Sequence, residues 1–89
     1  MRQAALELSV HRIRANAVAP GIVMAGLAKV QFETEPQYAA RASKSIPLGA
    51  PQTAEQIGEA VGFLASPLAS SMTGSVLLVD GGSSLGTMA

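Results

Sequence analysis

Few side chains in this sequence are placed to do chemistry. The chain has no cysteine, so it has no thiolate nucleophile, no disulfide and no cysteine-ligated metal. Its single histidine, His11, cannot build a zinc site without carboxylate help, and no metal site is assigned. Ser9 and His11 lie near each other on an expected helix, where a lone histidine reads as a surface residue. The only phenol is Tyr38. A cation lowers the pKa of a tyrosine it adjoins, and on a helix the side chain four residues on is one that adjoins it. Here that residue is Ala42, so Tyr38 reads as packing or loop surface. Asp80 is separated from all of these and reads as a turn residue before Gly81-Gly82. A phosphate cradle needs a strand that leads through clustered glycines into a helix, whereas this glycine pair follows the last expected strand. No catalytic residue is assigned, which leaves Pro20-Gly21 as the feature of interest.

The elements that would position this turn follow from periodicity. Leu6, Val10 and Ile13 fall at helical spacing while Arg2, Glu7 and Arg12 can face solvent, which predicts a helix from residue 1 to about 12. No Ser, Thr, Asp or Asn precedes it as a cap. Ile13 to Ala19, rich in β-branched and small residues, predicts a strand closed by Pro20-Gly21. Residues 22 to 46 have no dominant period and predict short helices. Thr53, with Glu55 in the first turn, predicts a helix start, followed by the apolar stripe Ile57, Ala60, Val61 and Leu64 and a stop at Ser66-Pro67. Ser75 to Val79 is a run of aliphatic residues without alternation, as in a parallel strand covered on both faces. Gly58 and Gly62, four apart on the helix, are expected to permit close packing.

Composition narrows the class. Six basic residues balance six acidic ones without a Lys/Arg cluster, which argues against nucleic acid and an anionic membrane surface as partners. The uncharged run Ala15 to Ala28 is broken by Asn16, Pro20 and Gly21 and falls short of the ~20 apolar residues of a membrane span. No signal peptide is read at residues 1 to 9, and a cytoplasmic location is expected. Hydrophobic residues make up 48% of the 89 and charged ones 13%, a balance more usual for a segment inside something larger.

Two stretches carry a resemblance. The first is Arg12-Ile13-Arg14-Ala15-Asn16-Ala17-Val18-Ala19-Pro20-Gly21-Ile22-Val23. The second runs from Ile46-Pro47-Leu48-Gly49 through Glu55, Ile57, Ala60-Val61 and Phe63-Leu64-Ala65-Ser66 to Thr73-Gly74 and Val79-Asp80-Gly81-Gly82. In this order and spacing they resemble the C-terminal part of the short-chain dehydrogenases/reductases. The resemblance implies an α/β fold, the end of a doubly wound parallel-sheet Rossmann domain, in the order helix, strand, loop with short helices, helix, strand. It makes residues 1–89 a C-terminal fragment of one NAD(P)-binding domain, with a substrate-loop region at 24–46 in which Met24, Leu27, Val30 and Phe32 either line a pocket or pack the loop. It puts the backbone of Pro20, Gly21, Ile22 and Val23 beside the nicotinamide ring of NAD or NADP, where Gly21 would let the backbone approach a flat ring. It also implies a homo-oligomer joined through the last helix and strand. The sequence departs from the family pattern at Ala25, Ala50 and Pro67, where Thr, Arg and Asp are usual.

The implied activity is NAD(P)-dependent interconversion of small alcohols and carbonyls. The Tyr and Lys pair that the family uses for proton transfer and its glycine-rich coenzyme turn are not in the sequence, so the chain by itself is expected to be inactive. The alternative is a non-catalytic oligomerisation or docking module derived from the same family. Two short aliphatic strands also ask for more sheet and more helix than 89 residues supply.

Overall fold

The computed structural model describes residues 1–85, arranged as an α/β unit around a two-stranded parallel sheet. Helix α1 spans Arg2–Ser9 and has no side-chain cap at its start. It stops about three residues earlier than its periodicity predicts, because Arg12 takes a left-handed conformation, φ 58°, and the chain reverses. The stripe expected to be its buried face is exposed at Leu6 and Val10 and partly so at Ile13. Ala5 is the buried residue instead, packed beside Gly74.

Strand β1 is shorter than predicted, spanning Ala17–Pro20. The residues before it make lateral bonds to a distant loop instead of a strand ladder. The Ala15 N–H donates to Thr73 Oγ1 at 3.1 Å, and the Gly74 N–H to the Ala15 carbonyl at 2.7 Å. The Asn16 amide donates to the Met72 carbonyl at 2.9 Å and accepts from the Ser75 N–H at 3.0 Å. Strand β2, Val76–Val79, runs parallel to β1 with Ala17 opposite Val76 and Pro20 opposite Val79.

Helices α2 (Gly26–Thr34) and α3 (Pro36–Lys44) are the short helices expected between the strands. They pack on each other and on no other helix or strand among the described residues. Helix α4, Ala54–Ala65, begins where the sequence predicts. Thr53 Oγ1 accepts from the Gln56 N–H at 3.1 Å while the Gln56 side chain accepts from the Thr53 N–H at 2.9 Å, a reciprocal cap. Thr53→Ala should therefore lower stability by about 1 kcal/mol, measured as a shifted urea midpoint.

Helix α4 lies on both strands and ends at Ser66. Between it and β1 runs a cleft of about 530 Å³, lined on the strand side by Asn16, Val18 and Pro20 and on the helix side by Ile57, Val61 and Leu64. The core is small: Ala5, Ala42, Ile46, Leu64 and Ala69 are its buried apolar residues. Strand β2 alternates between half-buried and exposed, with Val76 at 57% and Leu78 at 58%, so neither strand face is fully covered by the chain's own residues. Gly58 and Gly62 have no atom within 4 Å of where a Cβ would stand, so nothing in the described residues uses the close approach they permit.

Candidate functional site

Both strands end at the same edge of the sheet, and the parallel register sets Pro20 beside Val79 there. Two turns leave this edge, Gly21–Val23 after β1 and Asp80–Gly82 after β2. The Gly21 N–H donates to the Val79 carbonyl at 3.3 Å, extending the ladder by one bond. A Cβ on Gly21 would lie 2.9 Å from Asp80 Cβ and 3.1 Å from Asp80 Cα. Glycine is needed at this position for the close contact between the two turns, a packing reason the sequence does not reveal.

The second support is Gln52, which is buried. Its N–H donates to the Ile22 carbonyl at 2.9 Å and its carbonyl accepts from the Met24 N–H at 2.8 Å, a parallel bridge centred on Val23. Its side-chain amide, oriented by its neighbours, donates to the same Ile22 carbonyl and accepts from the Gly81 N–H, each at 3.2 Å. Reading the sequence missed Gln52 entirely; no local motif marks a glutamine whose partners are two remote turns.

The Val23 carbonyl accepts from the Ala25 N–H at 2.8 Å, closing a tight turn. The N–H groups of Ile22 and Val23 meet no acceptor among the described residues. The turn thus offers two adjacent backbone donors beyond the C-terminal ends of parallel strands, held from behind by Gln52 and Asp80.

Asp80 is a buried turn residue, as expected. Its Oδ1 accepts from the Gly82 N–H at 2.9 Å and its Oδ2 from the Ser84 N–H at 3.1 Å. A hydrogen bond from the Ser84 side chain, followed by that from the Gly82 N–H, holds its carboxyl below the ordinary carboxylate value. A carboxyl depressed in the fold contributes stability above its unfolded pKa of about 3.9, and that contribution is lost as pH falls through the lower folded value. Asp80→Asn should remove this part of the acid sensitivity, which urea midpoints across the acid range will register. Gly81 and Gly82, at φ 64° and 92°, form the rest of the turn. Ile46 and Pro47 press against them, and the Leu48 N–H donates to the Gly81 carbonyl at 3.0 Å.

Other chemistry-bearing residues are elsewhere. Tyr38, half-buried on α3, lines a cleft with Glu35 and Arg41 that shares no residue with the strand-end turns. His11 is exposed past the end of α1. Among the described residues no helix is long and apolar enough to cross a membrane, and no three acidic, His or Cys side chains gather as a metal site.

The sequence profile described as enoyl-(acyl carrier protein) reductase matches residues 1–84. Short-chain dehydrogenase srdC of Neurospora crassa is 37% identical over 84 residues, 94% of this chain and 31% of that protein. The chain belongs to the short-chain dehydrogenase/reductase family. L-xylulose reductase of Mesocricetus auratus, 41% identical over 78 residues, is another relative, matched over 88% of this chain and 32% of its own length. The family chain thus spans about a third of the relatives it matches. Among solved structures, 4-hydroxyisoleucine dehydrogenase, a mutant complexed with NADH and succinate, superposes with a TM-score of 0.90 at 25% identity, covering 98% of this chain and 35% of that one. A short-chain dehydrogenase/reductase family oxidoreductase from Burkholderia thailandensis superposes at 0.86 with 30% identity, over 97% of this chain and 33% of its own. The fold is therefore an α/β unit of the family's Rossmann-fold type, as the sequence implies.

Proposed function

We propose that this chain supplies the nicotinamide-side wall of the coenzyme site in an NAD(P)-dependent oxidoreductase that interconverts small alcohols and carbonyls. The observation that carries this reading is the pair of unpartnered N–H groups on Ile22 and Val23, set beyond the carboxyl ends of two parallel strands, where open α/β sheets bind their ligands. The residues fit one part of the coenzyme. The Ile22 and Val23 N–H groups would donate to the carboxamide, with Pro20 and Gly21 bordering the ring, and so fix which ring face is offered, while residues 24–46, with the two helices α2 and α3, would close over the substrate. When bound, the coenzyme supplies the hydride; the chain's own residues orient the ring and exclude water from one side. A relative solved with NADH supports the coenzyme class, without deciding between NAD and NADP.

The test is a chimera in which residues 1–84 replace the matched third of a full-length reductase. It should keep NAD(P)H-dependent carbonyl reduction. Gly21→Ala, which displaces the turn from Asp80, should lower kcat/KM by about 100-fold, the scale of a 1 Å misplacement. A folded chimera without turnover, or one indifferent to Gly21→Ala, would defeat the reading.

The same proposal makes α4 and β2 a contact between copies. Val61 on α4 and Val76 and Leu78 on β2 are more than half exposed, and no atom lies within 4 Å of where a Cβ on Gly58 or Gly62 would stand. Sedimentation of the chimera should then show a dimer or larger, reduced by Gly58→Val.

A further inference from the structure

Three segments distant in sequence meet at one buried amide. The Ile22 carbonyl receives two donors, both from Gln52, one backbone and one side chain, and the other end of the same amide takes the Gly81 N–H. Gln52 is 6% exposed, and its side chain also lies within 3.0 Å of where Cβ atoms on Gly21 and Gly81 would stand. Both turns are therefore shaped around this one side chain. We infer that Gln52 is the positioning residue of the Pro20–Val23 turn, fixing the Ile22 carbonyl and, through the rigid peptide that follows it, the direction in which the Val23 N–H points.

A consequence for coenzyme orientation rests on the nicotinamide reading above; the bracket itself does not. Shape alone cannot replace the amide. Leucine at this position would fill similar space but leave the Gly81 N–H without a partner and the Ile22 carbonyl with one donor in place of two. Glutamate would accept from Gly81 in either state, yet it could donate to Ile22 only when protonated. The cleft around Gln52 is lined by Leu48, Ala50, Pro51, Gln56, Val79 and Gly81 and holds no charged side chain. The titratable group packed nearby is Asp80, whose carboxylate is turned to Gly82 and Ser84.

Residue-resolved amide exchange on the 89-residue chain tests this. Gln52→Leu should lower protection at Gly81 and Met24 by about tenfold, with α1 and the centre of α4 unchanged. Gln52→Glu should keep Gly81 protected at neutral pH, lose protection at Met24, and regain it once the introduced carboxyl is protonated. The wild type, which carries Asp80 as well, should show no such recovery. Losses spread evenly over the chain, no acid recovery in Gln52→Glu, or a wild type unprotected at Met24 and Gly81 would each overturn the inference. NADH added to the full-length chimera, which carries the rest of the coenzyme site, separates the two readings. Slower exchange at Ile22 and Val23 in the chimera, weakened when it carries Gln52→Leu, supports both; no NADH effect in the chimera alongside the predicted variant behaviour leaves the bracket standing and removes the coenzyme reading alone.

Discussion

Gly81→Ala should cost the fold about 2–5 kcal/mol, combining a left-handed backbone worth ~1–2 kcal/mol with overpacking worth ~1–3 kcal/mol. The residue sits at φ 64°, and a Cβ there would stand 2.6 Å from Ile46 Cγ2 and 2.9 Å from the Gln52 amide. Neither neighbour has room to retreat, since both are buried and Gln52 is bonded to two turns. Against the ~5–15 kcal/mol of an ordinary domain, and a core with few large buried side chains, this is enough to populate the unfolded chain. Gly26→Ala separates the two contributions. Gly26 has φ 57° with nothing within 4 Å, so it should show the conformational cost of ~1–2 kcal/mol without the crowding. Gly58→Ala, in open helix, should stabilise by ~0.5–1 kcal/mol. Urea denaturation of the three variants ranks them, and a Gly81 variant no worse than the Gly26 one would mean that Ile46 and Gln52 do not pack as described.

The same glycines show what a sequence can and cannot disclose. Helix α4 was legible because its signals are local: a hydroxyl at Thr53, an acid at Glu55, an apolar stripe, and Ser66-Pro67 to stop it. Strand β2 was legible as four aliphatic residues before a glycine turn. The end of α1 was not, because Val10 and Ile13 continue the helical spacing while the positive φ of Arg12 breaks the helix. Nor was the start of β1, since Ile13 reads as a strand residue and only the bonds from Ala15 and Asn16 to residues 72–75 draw the chain out of the ladder. Of the candidate site, the Pro20-Gly21 turn could be located, but its reason could not. Gly21 is required by Asp80 and Gln52, side chains that arrive from the far half of the sequence. Local composition specifies turns; what braces them is decided by topology.

The 89-residue chain incubated with NADH and a panel of small aldehydes and ketones should oxidise coenzyme no faster than a protein-free blank. Carbonyl reduction needs a proton at the oxygen as hydride arrives, and a positioned general acid is worth ~10²–10⁴ in rate. Neither Asp80, Tyr38 nor His11 is set to give one at the strand-end turns. Asp80 is ionised and committed to Gly82 and Ser84, Tyr38 faces a separate cleft on α3, and His11 is exposed at the other end of β1's approach. The two free N–H groups of Ile22 and Val23 can orient a carboxamide, but two neutral donors shared with water add little affinity, because exchanging water for such a bond nets only ~0.5–1.5 kcal/mol each. Orientation without a proton source and without a phosphate anchor gives neither turnover nor saturation. Loss of NADH absorbance that saturates with coenzyme and disappears in Gly21→Ala would show that the described residues hold a complete site after all, and would require the proton to come from a group assigned no catalytic part here.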